Sequence, residues 1–444
     1  MGDDATRKRV VAIVLSVTVL VGGIGVVVVS VDGGERLRES PSRSSTSVPG
    51  TGQIESLHEE GLTGDGVSVG VVVATGVDPD HGSLEAQVRV ARAFGPSKTL
   101  RNGGDNRHGT ATAAVVSRVA PDADLYLASF ETAAGFEVAM HWLRTEGVDV
   151  VVAPVSFYGR PGDGSSRVAR VADRAVANGT VVVAPVGNVG AGHWQGRFDP
   201  DRNGTHRFAG GPRNYLRGRG GGALTLWLSW ERRPVRGNES PSDGRNFTVE
   251  VHRTVGRTDR LVARSRPYRG DDSPNAWLAT RVDPDGTYYL VVRGPGDANG
   301  TRLEITSPTH ALQYRERGGS VVAPATAQSV LAVGAADPET GEPRPYNAAG
   351  PVDRTRPGVD VVAADDQRVP GTDADFRGTS AASAYTAGVV ALMLEANQGL
   401  SPKEVEAIVE VTAAESGPDG VDPVAGHGRL VPSAAAKRAR NVST

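Results

Sequence analysis

The sequence predicts an α/β fold, a parallel sheet with helices on both faces, interrupted by an inserted antiparallel β domain. Buried-strand and helical patterns first alternate along the chain; short strand-like runs separated by Gly-, Pro- and Asp-rich turns follow, and then the α/β pattern resumes. At 444 residues the chain also exceeds the size at which one hydrophobic core usually stops growing. We therefore expect two domains, one inserted into the other.

The α/β part begins at Val67–Val73, a continuous run of mainly β-branched residues such as buried parallel strands show. Alternation of strands and helices up to Pro185 indicates a sheet covered on both faces. The predicted strands are Val67–Val73, Leu125–Ser129, Val148–Ala153 and Thr180–Pro185, and the predicted helices are His108–Ala120, Phe136–Glu146 and Arg167–Asn178.

The pattern changes at Gly190, and the spacing of the strand-like runs that follow predicts an antiparallel β-sandwich or jelly roll. These runs are Ala223–Trp230, Asn246–His252, Ala276–Val282, Thr287–Arg293 and Thr301–Thr306. The α/β pattern resumes with strands at Ser329–Val333 and Val359–Ala363 and helices at about Thr379–Asn397 and Pro402–Ala413. An exposed loop tolerates such an insertion because loop-closure entropy rises slowly with length.

The N-terminus contains an uncharged apolar segment, Val10–Val31, directly after Arg7, Lys8 and Arg9. Roughly 20 apolar residues suffice to cross a bilayer, and the basic residues favour a cytoplasmic N-terminus with the remainder outside. We expect a single-pass membrane anchor. The alternative is a cleaved signal peptide, which would make the protein secreted, but the segment is long for one and no clear cleavage site follows it.

The predicted organisation follows from these patterns. A cytoplasmic tip and anchor occupy 1–31, a flexible Ser-, Pro- and Gly-rich stalk 32–54, the two parts of the α/β domain 55–190 and 321–436, the inserted β domain 191–320 and a tail 437–444. Asn-x-Ser/Thr sequons fit an external location. They begin at Asn178, Asn203, Asn238, Asn246, Asn299 and Asn441. A common turn sequence is the alternative explanation, above all for Asn178.

Composition excludes several function classes. The formal net charge of −3, without a basic cluster outside the N-terminus, argues against nucleic-acid binding. The absence of cysteine excludes disulfides, zinc-thiolate sites, iron–sulfur clusters and a cysteine nucleophile.

Three segments carry residues suited to catalysis. Ser380 opens an apolar helix of small residues, His108 opens another, and Asn188 follows the strand that ends at Pro185. A serine at a helix start is a candidate nucleophile, and an asparagine at a strand end can donate its amide to an oxyanion. Taken singly, each has a structural explanation as a helix cap, a core histidine or a turn.

In this order and setting, the segments resemble the subtilase (subtilisin-like serine peptidase) family over about 55–190 and 320–435. The serine motif Gly-Thr-Ser-Met-Ala-x-Pro-x-x-Ala-Gly is matched at Gly378, Thr379, Ser380, Ala382, Ala387 and Gly388, and the histidine motif His-Gly-Thr-His at His108, Gly109 and Thr110. The resemblance implies a subtilisin-like fold with Ser380 as nucleophile, His108 as base and Asn188 in the oxyanion hole. It departs from the family at Ala111, Ala381 and Ala384.

A further departure affects the mechanism. The family's aspartate ends the first strand in Asp-Thr-Gly-Ile/Val, whereas this chain has Ala74 before Thr75. Alanine can neither orient the imidazole nor stabilise the imidazolium. Asp78, Asp80 and Asp105 are the nearby carboxylates that could substitute, although none stands at the required position.

Three functions stay open at this point. The chain is a pseudopeptidase that binds polypeptides or partner proteins, a weak serine endopeptidase, or a scaffold for an inserted domain that binds glycan or protein. Family members often bind calcium structurally, but no acidic loop with suitable ligand spacing is found here, so no cofactor is expected.

Overall fold

The first half of the α/β domain contains every strand and helix that the periodicity predicts, with one further helix and one further strand. The computed structural model describes residues 51–100, 107–217, 222–231, 246–268, 273–370 and 375–443. Its first elements are α1 (Thr51–Glu59), β1 (Ser68–Val73), β2 (Val88–Phe94), α2 (Arg107–Val119), β3 (Asp124–Phe130), α3 (Ala133–Glu146), β4 (Val150–Val152), α4 (Arg167–Val176) and β5 (Val181–Pro185).

The insertion forms two five-stranded antiparallel sheets that pack face to face around their own apolar core, which includes Phe198, Phe247 and Leu290. Its strands are β6 (His193–Arg197), β7 (Asn214–Arg217), β8 (Gly222–Trp230), β9 (Thr248–Val255), β10 (Thr258–Arg264), β11 (Arg266–Pro267), β12 (Asn275–Val282), β13 (Thr287–Arg293), β14 (Arg302–Thr306) and β15 (Ala311–Leu312). One sheet has the order β10-β9-β13-β7-β15 and the other β11-β12-β8-β14-β6. The chain enters and leaves side by side, because Ser307 N–H donates to the Gly192 carbonyl at 2.8 Å.

The remaining elements complete the α/β domain. They are β16 (Leu331–Ala336), β17 (Val361–Ala364), β18 (Gln367–Arg368), β19 (Asp375–Phe376), α5 (Thr379–Ala396), α6 (Pro402–Val411) and α7 (Pro432–Arg440). Seven strands form one sheet in the order β17-β16-β5-β4-β1-β3-β2, and every pairing in it is parallel. This confirms the predicted fold class.

Helices cover both faces of the parallel sheet. Along β1, Val69, Val71 and Val73 belong to the core beneath α2 and α5, whereas Val72 belongs to the core beneath α3 and α4. Burial on both faces explains why this strand reads as a continuous apolar run. Helix α5 is buried along almost its whole length, and Gly388 lets it approach α2, since a Cβ there would lie 2.5 Å from Val119 Cβ.

Two predicted boundaries need correction. Residues 51–54, assigned to the stalk, begin helix α1, whose Ile54 and Leu57 are buried at helical spacing. Residues 437–440, assigned to the tail, continue α7, where Ala439 is buried against the core. The rest of the stalk and the predicted anchor at Val10–Val31 lie outside the described residues. Within the described ranges, no helix is long and apolar enough to span a bilayer.

Candidate active site

The start of helix α5 presents Ser380, half-buried, in its first turn. Gly378 precedes the helix with φ of +100°, a conformation that side chains with a Cβ rarely adopt. A Cβ at this position would also lie 2.9 Å from Asn188 Nδ2. Glycine is therefore required here both by the backbone and by the neighbouring amide.

The side chain of Asn188 is fixed by Thr379. Its Oδ1 accepts hydrogen bonds from the backbone N–H of Thr379 at 3.1 Å and from the hydroxyl of Thr379 at 3.0 Å. Because a backbone N–H can only donate, the oxygen of the amide must face Thr379. The Nδ2 group, on the other branch of the amide, keeps its donors for another partner, as an oxyanion site requires.

A buried carboxylate that the sequence did not indicate holds the loop before Ser380. Asp365, 1% exposed, accepts from the backbone N–H of Gly378 at 3.2 Å and from the hydroxyl of Tyr346. Arg344 pairs with it, Nε to Oδ1, at 2.9 Å, and bonds Asp337 at 2.7 Å. Burial, with the charge of Asp365 adding to it, raises the pKa of Tyr346, so its hydroxyl remains a donor.

His108 lies in the first turn of α2, and its ring contacts Phe376, another residue that sequence reasoning missed. The ring centroids are 5.2 Å apart and the planes almost perpendicular, at 89°. Burial lowers the pKa of His108 from 6.5 to about 4, because a charged imidazolium loses hydration there. The ring is therefore a neutral and weak base at neutral pH.

Two contacts bring the start of α2 against the end of β1. A Cβ on Gly109 would lie 2.0 Å from the Gly76 carbonyl oxygen, so only glycine allows this approach. The hydroxyl of Thr110 accepts from the Asp78 backbone N–H at 2.9 Å. His108 is thus placed next to the chain segment that begins with Ala74.

Ala74 follows β1 directly and packs, partly buried, against the core on the α3 side. Its methyl group supplies no acceptor. Among the described residues, no acidic side chain bonds the His108 ring, and no hydrogen bond joins that ring to Ser380. The Asp78 carboxylate accepts from the backbone N–H of Asp80 at 3.2 Å, within its own loop. Asp105 lies outside the described residues.

Known proteins resemble this chain in part of its sequence and in its fold. Residues 288–428 match the model of the peptidase S8 or subtilase family. Subtilisin E of Bacillus subtilis is 32% identical over 163 residues, which make up 33% of this chain and 41% of that protein. Subtilisin of Bacillus pumilus is also 32% identical over 163 residues, 57% of its length. The alignments thus span only about half of these relatives.

The CspB protease of Clostridium perfringens shares the fold. The two structures superpose with a TM-score of 0.60 over 88% of this chain and 98% of that chain, at 18% identity. The chain is thus similar to the subtilase family in part of its sequence and in its fold. In this chain the predicted segments meet at the carboxyl edge of the sheet, where Asn188 contacts Thr379 and His108 contacts Phe376. The catalytic roles of Ser380, His108 and Asn188 stay predictions.

A group of carboxylates lies at the opposite edge of the sheet. One oxygen each of Asp360, Glu406 and Glu410 falls within 4.8 Å of the others, a spacing that could hold a metal ion. Arg356 Nη2 approaches Asp360 Oδ2 at 3.4 Å and already supplies positive charge. Burial, together with the neighbouring acids, raises the pKa of Glu406 to about 7, so this cluster retains protons near neutral pH.

Proposed function

We propose that this subtilase binds polypeptides in a site that hydrolyses them weakly or not at all. The observation that supports the proposal is Ala74 at the end of β1, with no carboxylate bonded to His108 in the described part of the chain. The nucleophile and oxyanion positions are otherwise built, because Asp365 holds Gly378 and Thr379 holds Asn188.

The chemistry follows from these positions. Hydrolysis requires Ser380 Oγ to attack a peptide carbonyl carbon while His108 accepts the hydroxyl proton, and Asn188 Nδ2 would donate to the developing oxyanion. An aspartate would fix the tautomer of the imidazole and stabilise the imidazolium. Without it the proton acceptor is a partly buried imidazole whose pKa is lowered to about 4, and proton transfer becomes unfavourable.

Binding of a polypeptide does not require the missing carboxylate. In subtilisin itself, loss of the triad aspartate alone lowers turnover by about 3 × 10⁴-fold, so binding and the oxyanion donor account for what remains. A chain with these features would capture extended polypeptides more readily than it cleaves them.

We further propose that the two folded domains face the outside of the cell, held by the N-terminal apolar segment. Arg7, Lys8 and Arg9 before Val10–Val31 support this orientation. Cleavage of the segment would instead release the protein, and the N-terminal residue of the mature chain decides between the two.

Covalent labelling tests the proposed loss of activity. The full chain is exposed to a fluorophosphonate probe, which reacts with an activated serine, and the labelled residue is mapped by mass spectrometry. We expect slow labelling in the natural chain, fast labelling in Ala74→Asp and none when Ser380→Ala is added to either. A labelling rate of the natural chain within about tenfold of the rate of Ala74→Asp would contradict the proposed loss of activity.

Polypeptide binding requires its own measurement. Fluorescently labelled casein is titrated with the Ser380→Ala chain, and binding is followed by anisotropy. Saturable binding is expected. Absence of casein binding would remove the binding half of the proposal.

A further inference from the structure

The Asn-x-Ser/Thr sequons are more frequent than composition predicts. The chain has 13 asparagines, and six of them begin a sequon. Serine and threonine make up 60 of the 444 residues, so about two sequons would arise by chance. Five of the six lie in the described residues; Asn238 lies outside them.

Two of these five asparagines use the amide nitrogen to close a helix. Asn178 Nδ2 donates to the Arg174 carbonyl at 2.6 Å, and Asn441 Nδ2 donates to the Lys437 carbonyl at 2.9 Å. Each amide therefore turns back onto the last turn of its own helix. A sugar on that nitrogen would have to be accommodated beside this hydrogen bond, which occupies one of its two N–H groups.

The other three asparagines, Asn203, Asn246 and Asn299, lie in loops of the inserted sandwich. All three are exposed, and within the described residues none of their side-chain amides makes a hydrogen bond. Asn178, Asn203 and Asn299 share the tripeptide Asn-Gly-Thr, and their glycines all have positive φ. The same local turn thus occurs with two different amide environments.

The three loops meet at one end of the sandwich. Arg293, the last residue of β13, pairs with Thr248 of β9 and bridges to Thr205. Its guanidinium also donates to the Thr205 hydroxyl at 3.0 Å. Asn246, two residues before Thr248, and Asn203, two residues before Thr205, therefore flank the same strand end.

Asn299 belongs to this end as well. The next residue, Gly300, donates its backbone N–H to the Phe198 carbonyl at 2.8 Å, and the ring of Phe198 packs against Phe247 at 5.0 Å. The β6–β14 ladder runs from the pair His193–Thr306 near the domain junction to Arg197–Arg302. The loop of Asn299 leads directly into Arg302 of the second pair, so these sequons lie at the end remote from the junction.

We propose that Asn203, Asn246 and Asn299 carry N-linked oligosaccharides, which cover the end of the inserted sandwich remote from the junction. Nδ2 attacks the anomeric carbon of a lipid-linked sugar phosphate, the carbon–oxygen bond to the phosphate breaks, and the lipid phosphate leaves. One Nδ2 proton passes to a base of the transferase, and no oxidation or reduction occurs. The proposal rests on the external location proposed above.

Glycopeptide mass spectrometry of the full chain, purified from the cells that naturally make it, tests this assignment. We expect sugar masses on the peptides of Asn203, Asn246 and Asn299, at occupancies at least fivefold above that of Asn178. Asn178 is the matched control because its Asn-Gly-Thr tripeptide is identical. Unmodified sandwich sequons, or equal occupancy at Asn178, would overturn the proposal.

Variants and a location assay separate this proposal from the one on which it rests. Asn203→Gln, Asn246→Gln and Asn299→Gln together should remove the added mass, whereas Asn178→Gln should leave it unchanged. Protease added to intact cells reports the location. A chain that is digested yet carries no sugar overturns glycosylation alone, and a chain that is protected overturns the external location and the glycosylation with it.

Discussion

The two sides of the catalytic edge are preserved to different degrees. On the nucleophile side, Gly378, Thr379 and Asn188 are joined by hydrogen bonds, and the buried Asp365 anchors them to a second loop. On the base side, the ring of His108 packs against Phe376, yet Ala74 stands at the position of the family's aspartate. Both sides keep the backbone arrangement and the predicted Ser380, His108 and Asn188, and the departure lies at Ala74.

This difference follows from what each side needs in order to fold. The nucleophile side is held by glycine conformations and buried polar bonds, whose loss leaves unsatisfied groups and destabilises the protein. The triad aspartate acts only through its carboxylate, and an alanine methyl fills part of its space without an unpaired polar atom. A carboxylate can therefore be absent at Ala74 while the fold and the contacts of Asn188 persist.

Restoring the carboxylate should produce the largest effect. Ala74→Asp is expected to raise peptide hydrolysis by about 10⁴-fold, near the loss that removal of this aspartate causes in subtilisin itself. The gain arises because the carboxylate would orient the imidazole and stabilise its protonated form. Turnover of a fluorogenic peptide measures it.

Ala74→Asn is the matched control for this change. The amide has nearly the same size but no charge, so activity should stay within about tenfold of the natural chain. Equal activity of the Asp and Asn variants, or no gain in either, would show that the base side is damaged beyond this one position.

The oxyanion side should give the next largest effect. In the Ala74→Asp background, Asn188→Ala is expected to lower turnover by about 10²–10³-fold, a range measured on a subtilisin. KM should change little, since the amide donates mainly to charge that develops in the transition state. Thr379→Val, which removes one of two donors to Asn188 Oδ1, should have a smaller effect. An unchanged turnover without the amide would place the oxyanion donor elsewhere.

The contact that places His108 beside Ala74 can be broken by one methyl group. Gly109→Ala should lower the free energy of unfolding by about 1–3 kcal/mol, because the new Cβ meets the Gly76 backbone oxygen instead of a movable side chain. It should also abolish the gain from Ala74→Asp. Gly52→Ala is the control, since nothing lies within 4 Å of its Cβ position. Urea unfolding measures both, and equal stabilities would contradict the close approach.

The α/β part of the fold was predictable because its strands are buried on both faces and read as apolar runs. Strand β2, Val88–Phe94, was missed because two arginines interrupt it at the sheet edge, and the exposed β10 was missed for the same reason. The motifs at Ser380, His108 and Asn188 could be found as short contiguous segments. Asp365 could not, because its contacts to Tyr346 and Gly378 join separate loops with no common periodicity.

The smallest predicted effect is the pH dependence of the free energy of unfolding that arises from His108 on the base side. The pKa of His108 is about 4 in the fold and 6.5 when it is free, so between these values the unfolded chain binds the extra proton. Stability linked to this ring is therefore present above pH 6.5 and lost as pH falls towards 4. His206, whose pKa burial also lowers to about 4, acts in the same direction, and Glu406, with its pKa raised to about 7, acts in the opposite one.

A variant at His108 isolates its share. His108→Gln should lose less stability than the natural chain between pH 7 and pH 5, by about 2 kcal/mol, measured by urea unfolding at both values. Ala74→Asp should also flatten the dependence, because a carboxylate beside the ring raises its pKa, and His206→Gln controls for burial away from the site. If His108→Gln and the natural chain lose equal stability on acidification, the ring of His108 is not held neutral in the folded chain.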